Sequence, residues 1–289
     1  MDDFDPSYTP NHDDHMLRYA YRNQPTIIWW NLVRFGEALG ELMGAGSNVD
    51  DPDYIANGVK ESEQEEVIGR AEKLIEQSGE EFKVTFLTEY KKLMAARVGI
   101  RQYKESDFEE LFSEALNTME ALELDFNHFF RRLSGLRIAD LSSVEGRRDA
   151  AAIFFHKEGP PKAVGEDEAK DRIATWLEKW RQRILEDWTG TENGISEAQE
   201  EERIRSMKKT NPNFVPRNWI LDEIIRRVEE DDEREVLDRV MHMALHPFED
   251  SWDGAEFGKN PYAGDKEEEQ RWVGDVPRLE RAMQCSCSS

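Results

Sequence analysis

Over residues 166–188 the large apolar side chains Ile173, Trp176, Leu177, Trp180 and Ile184 return every three or four positions. At 3.6 residues per turn this spacing draws one apolar stripe along a helix, and a strand of period two would scatter it over both faces. The same period dominates the rest of the chain. Pro25 suits a first helical turn, and Ile28, Leu32, Phe35, Leu39 and Leu42 follow it at spacings of four and three, towards an end near Gly44. A second helix is expected over 63–77, with Val67, Ala71, Leu74 and Ile75 inward and Gly79 as its stop. Phe82, Phe86, Tyr90, Leu93 and Met94 mark a third. Ser106 and Glu109 read as a capping box opening a fourth, which buries Phe108, Leu111, Phe112, Ala115 and Met119.

Further helices are expected in "LDFNHFFRRLS", in "GRRDAAAIFF", and over 196–209, 220–229 and 233–245. The segments "SNVDDPDYIANG", "HKEGPPKAVGED", "TGTENG" and "NPNFVPRNW" read as loops, and the Gly-, Pro- and charge-rich residues from 248 onward as a loose, flexible tail. No alternation is strong enough for a strand, and no repeat of fixed period is present. The expected fold class is mostly α.

The chain's 289 residues suffice for one large core or two modest ones. Its 62 acidic residues against 38 basic ones leave a net charge of −24, which repels phosphate backbones and anionic lipid. Neither nucleic acid nor a membrane is therefore expected as a partner. Eight Trp, 14 Phe and 7 Tyr set this chain apart from disordered acidic sequences. The longest apolar run, residues 150–155, falls far short of the ~20 that a membrane span requires. The first residues carry neither the basic and apolar regions of a secretory signal nor the Arg-rich, acid-poor character of a transit peptide.

The usual carriers of reaction chemistry are missing: no phosphate-binding G-x-x-x-x-G-K-[ST], no H-E-x-x-H, no G-x-S-x-G and no H-R-D. "GAGSN" at 44–48 follows a helix instead of a strand and reads as a helix end and turn. His12, Asp13, Asp14 and His15 have ligand chemistry, but no second cluster accompanies them, and a solvated loop is the simpler expectation. His128, His156, His242 and His246 stand singly and are expected to pack or face water. Both cysteines, Cys285 and Cys287, lie in the final "CSCSS". They read either as exposed thiols of no consequence or as a redox pair or nucleophile on a flexible arm. Composition and spacing alone yield a helical protein without a complete active site.

Four segments together resemble the selenoprotein O family. They are "FDPSYTPN" with "RYAYRNQP" and "WNL" near the start, "DFNHFFRRLS", "NPNFVPRN" with Asn211, Pro212, Phe214, Arg217 and Asn218, and the terminal "CSS" with Cys287 third from the end. The resemblance implies a protein-kinase-like fold and a protein adenylyltransferase, which moves AMP from ATP to Ser, Thr or Tyr hydroxyls of other proteins. It implies ATP and Mg or Mn for the complete family member. It also implies that this chain is the C-terminal half, inactive alone, since the nucleotide-clamping Lys and Glu and the metal-binding Asn and Asp belong to family segments before "FDP". Neither cofactor is then expected to bind this chain alone, and a separate N-terminal half becomes a possible partner beside the protein substrates. Eukaryotic relatives imply a mitochondrial location; without that inference the chain reads as cytoplasmic.

On this resemblance residues 1–24 are the loop after the metal-binding segment, 25–247 the helical C-lobe and following helices, and 248–289 the tail. Arg18, Tyr19, Asn23 and Gln24 would lie near the active site, or would merely tie the loop to the helix at Pro25. Cys287 and Cys285 are the redox candidates. Three departures stand out. Leu17 replaces a common Gly, so a different local turn is expected. Thr9 stands where a number of bacterial members have a Cys, so that pairing with the C-terminal Cys is unavailable. Pro216 replaces a Leu and is expected to end any helix before Arg217. Two other readings are a stand-alone acidic helical interaction module and, behind it, a thiol-redox protein acting through its tail.

Overall fold

A computed structural model describes residues 2–161, 163–189, 194–252, 256–257, 260–261 and 264–281. The described chain is mostly α-helical, as the periodicity requires, with one two-residue antiparallel pairing that sets Glu256 opposite Pro261. No helix in it is long and apolar enough to cross a membrane. It divides into two compact units, one of residues 11–91 and the other of residues 2–10 and 92–281.

The first unit holds α1 (Gln24–Ala38), α2 (Gly40–Ala45), α3 (Pro52–Asn57) and most of α4 (Gln64–Arg97). The second and third expected helices are one: α4 runs 34 residues without a break at Gly79. Gly79 serves close approach instead, because a Cβ there would stand 2.8 Å from Cζ2 of Trp29. Gly36 plays the same part on α1, where a Cβ would meet Cγ1 of Ile75 at 2.9 Å. These two bare positions bring α1 and α4 together on a face different from the expected stripe. Ile27 and Gly36 are buried, whereas Ile28, Leu32, Phe35 and Leu42 are exposed. Beside these glycines Trp29 of α1 stacks on Phe82 of α4, with ring centroids 5.8 Å apart.

The second unit holds α5 (Glu105–Asp107), a π-helical turn over Phe108–Ser113, α6 (Glu114–Ala121), α7 (Phe126–Gly135), α8 (Val144–Ala151), α9 (Glu166–Thr189), α10 (Glu197–Thr210), α11 (Asn218–Glu230), α12 (Glu235–Leu245) and α13 (Lys266–Trp272). The capping box expected at Ser106 lies earlier, where the Lys104 N–H donates to Oδ2 of Asp107 at 2.8 Å. The same carboxylate receives Arg183 Nε at 2.7 Å, so a contact from α9 selects the cap. The α9 stripe is buried throughout. Its tryptophans satisfy their N–H groups inside the core: Trp176 Nε1 donates to the Leu111 carbonyl at 3.0 Å and Trp180 Nε1 to that of Val98 at 2.8 Å. Phe129 packs against both Phe154 and Trp176.

A further core cluster joins Phe214, Trp219, Ile220, Ile224, Val236, Val240 and Met243 to Trp252, Trp272 and Val276. The last three fall within residues 248–289, where a loose tail is expected. Two large aromatic side chains in an otherwise polar stretch pin it at residues 252 and 272 against α11 and α12.

Candidate functional site

The opening segment is fastened to the second unit by residues from widely separated parts of the chain. Phe4 is buried, its N–H donates to the Leu124 carbonyl at 2.8 Å, and its ring stacks on Phe126 with centroids 5.6 Å apart. Arg217, directly after Pro216, sits extended at the N-cap of α11. From there its guanidinium reaches Asp2 at 2.7 Å with Nη1 and Asp125 at 2.7 Å with Nη2. Asp125 is itself the N-cap of α7, accepting the His128 N–H at 2.9 Å. His128 Nδ1 lies 3.6 Å from Asp125 and 3.5 Å from Asp275, which also binds Arg132 Nη2 at 2.6 Å. Asp3 accepts from His156 Nε2 at 2.8 Å. A cleft of about 220 Å³ opens beside this network, lined by Asp2, Asp3, Tyr8, Asn127, Pro216 and Arg217 among others.

The electrostatics follow from the pairing. Burial alone would push the Asp125 carboxyl up, but His128 and Arg217 outweigh it and hold it below the usual carboxylate range. Burial likewise opposes ionisation of Asp275, and His128 with Arg132 overcomes it, leaving that carboxyl well below its ordinary value. For Arg217 desolvation works against the charge, and Asp125 and Asp2 more than restore it.

The cleft's guanidinium is thus neutralised by two carboxylates before any phosphate arrives. Nor do three or more His, Cys, Asp or Glu side chains converge as metal ligands among the described residues. What these residues can do is hold a segment rigidly.

Arg18, Tyr19, Asn23 and Gln24 come together in the other unit, in the turn before α1. Asp14 accepts the N–H groups of Arg18 at 2.9 Å and Tyr19 at 2.7 Å. Asn23 Nδ2 donates to the Leu17 carbonyl at 2.9 Å, and Gln24 Nε2 to that of Tyr19 at 2.6 Å. The Arg18 guanidinium lies over the Trp30 ring, 4.2 Å from its centroid. Arg18, Asn23 and Gln24 thus tie the turn to the start of α1 through their side chains, and Tyr19 does so through its backbone. Asp14 acts as a cap within this turn, while His12 pairs with the adjacent Asp13 at 3.1 Å, both half exposed. Cys285 and Cys287 lie outside the described residues.

His128 and His156 are not the solitary residues that spacing suggests. Asp3 is 153 positions from His156, and a partner so remote leaves no local sequence signal. His242 and His246 also meet, ring centroids 4.7 Å apart at the end of α12. The available signal lay in the motifs themselves, since "DFNH" carries Asp125 and His128 and "PRN" carries Arg217.

The profile of the family described as "Protein adenylyltransferase SelO" matches residues 1–245. The mitochondrial protein adenylyltransferase SelO of Schizosaccharomyces pombe is 33% identical over an alignment that covers 100% of this chain and 47% of that protein. Its namesake in Saccharomyces cerevisiae is 29% identical, covering 78% of this chain and 38% of that protein. The protein nucleotidyltransferase YdiU of Rhizobium etli is 30% identical, over 86% of this chain and 40% of its own length. The chain thus spans about half the length of the curated relatives it matches, or less. From the family profile and these relatives, the chain belongs to the SelO family of protein nucleotidyltransferases.

Proposed function

We propose that this chain is the C-terminal helical part of a protein adenylyltransferase that moves AMP from ATP onto Ser, Thr or Tyr hydroxyls of other proteins. Its own share is to hold the segment that follows the family's metal-binding loop. The observation that supports this reading is the grip on residues 2–4: Asp2 on Arg217, Asp3 on His156, and the buried Phe4 on Leu124 and Phe126. A reactive constellation needs such support, because displacements near 1 Å can cost about a hundredfold in rate.

AMP transfer relies on cations and metal ions to neutralise phosphate charge. The family's nucleotide-clamping Lys and Glu have no counterpart in the motifs found here, so on this reading the chain alone transfers nothing. ATP with Mg²⁺ or Mn²⁺ then belongs to the complete enzyme, within a kinase-like lobe, and a mitochondrial location is proposed from the names of the two yeast relatives.

The test fuses this chain to the part of the fission-yeast relative that lies outside the match and supplies ATP labelled at the α-phosphate with Mg²⁺ or Mn²⁺. Label is expected on acceptor protein from the fusion and none from this chain alone. A folded fusion that transfers no label would overturn the enzyme reading in favour of a stand-alone binding module. Label from the chain alone would overturn the division of labour.

A further inference from the structure

Asp275 stands apart from the family motifs, yet its carboxylate is the meeting point of two separate routes to the opening segment. Its side chain is 7% exposed. It follows Trp272 and precedes Val276, each about 1% exposed within the core cluster on α11 and α12. The backbone at 275 is thereby anchored on both sides, and the carboxylate is a fixed point.

One route runs from Oδ1 to His128 at 3.5 Å, from His128 to Asp125 at 3.6 Å, then to Arg217 and on to Asp2 at 2.7 Å each. The other runs from Oδ2, which accepts the Lys157 N–H at 2.9 Å. That bond fixes the peptide immediately after His156, whose ring holds Asp3 at 2.8 Å. Arg132 braces both routes. Its Nη2 binds Asp275 at 2.6 Å, while Nη1 donates to the carbonyls of Ile153 at 2.9 Å and Phe155 at 3.2 Å.

We infer that Asp275 is a positioning residue, which sets the place of the opening segment through two arms ending on the consecutive residues Asp2 and Asp3. A buried carboxylate is a poor choice for packing alone, because apolar residues of similar size usually stabilise as well or better. What a charged network adds is discrete geometry where its members hydrogen-bond one another, as along the arm from Lys157 and His156 to Asp3, while His128 joins the other arm through ion contacts of 3.5–3.6 Å. Residues far from the opening segment in sequence, close to the end of the chain, therefore determine how that segment lies. Only the consequence for AMP transfer rests on the function proposed above.

The experiment is hydrogen–deuterium exchange on the complete 289-residue chain and its Asp275→Asn variant. Asn keeps the size and one acceptor oxygen while removing the charge. Peptides covering residues 2–10 are expected to exchange roughly tenfold faster, with those of α9 unchanged. Unchanged exchange at 2–10, or an equal rise in α9, overturns the inference. Should Asp275→Asn fail to fold, Asp3→Asn cuts the second arm at its far, partly exposed end. It should speed exchange at 2–10 and leave 169–185 as before, and unchanged exchange at 2–10 overturns the second arm.

In the fusion enzyme, Asp275→Asn is expected to lower kcat about tenfold with KM for ATP unchanged. An active fusion whose kcat is unaffected also overturns the positioning role. An inactive fusion bears on the proposed function alone, because the exchange measurement does not depend on activity.

Discussion

Leu17 is held at φ +53°, a region that L-residues other than Gly, Asn and Asp seldom enter. Its N–H donates to the Asp14 carbonyl at 3.0 Å, and its own carbonyl accepts from Ala20 at 3.1 Å and from Asn23. The knot around Arg18 and Tyr19 leaves it no alternative. Family resemblance marks this as a common Gly position, and the backbone found here is the one Gly adopts without penalty. Leu17→Gly should therefore stabilise the chain by about 0.5–1 kcal/mol, seen as a higher urea midpoint at unchanged slope. Two glycines of α4 make a sharper pair. At Gly69 a Cβ would meet nothing within 4 Å, so Gly69→Ala should gain about 0.8–1 kcal/mol from helix propensity. At Gly79 the same change collides with Trp29, and about 1–3 kcal/mol of overpacking should outweigh that gain. Thermal melts of the two variants should shift in opposite directions; parallel shifts would refute the assignment of Gly79 to close packing.

Among the elements, α11, α12 and α13 are joined by guanidinium–carboxylate pairs more than by sequence neighbours. Arg227 binds Glu233 at 2.7 Å and Glu268 at 2.5 Å, and Arg239 binds the same two carboxylates at 2.7 Å each. The Glu223–Arg227 pair at i,i+4 is visible in the sequence, but nothing local announces Glu268 as a third partner. Arg227 first, then Arg239, lowers the Glu233 carboxyl from 4.5 to about 2. A folded value below the unfolded one means that the contribution is complete above about pH 4.5 and is lost as pH falls towards 2. The depressed Asp125 and Asp275 act with the same sign. The melting temperature should thus stay level from neutral pH to about pH 5 and fall below it, and Glu233→Gln should reduce that acid slope. A slope unaltered in the variant would show that the network does not govern acid stability.

At the scale of the whole molecule, Trp252, Trp272 and Val276 carry the described part of residues 248–289 into the core. Trp252 and Trp272 are each about 1% exposed against Ile220, Ile224 and Val240. Trp272→Ala should cost about 3–5 kcal/mol, enough to threaten the cooperative folding of α11 and α12. Urea denaturation followed by tryptophan fluorescence checks this, and a loss below about 1 kcal/mol would restore the loose tail. The Gly-, Pro- and charge-rich composition there concealed the packing, because two aromatic side chains among many polar residues make no period. Burial is decided by what surrounds a side chain, and single tryptophans carry no pattern to read.

The helical class, the span of α9 and the start of α10 were set by the sequence alone. Helix spacing and Ser196 as a cap act within a few residues, through φ, ψ and local hydrogen bonds. Tertiary structure decided which face of α1 is buried, where Asp107 caps, and that His128 and His156 have carboxylate partners. Those outcomes depend on how closely two backbones approach and on charges brought together from far along the chain. Packing distance and Coulomb attraction act through space, and a linear pattern records neither.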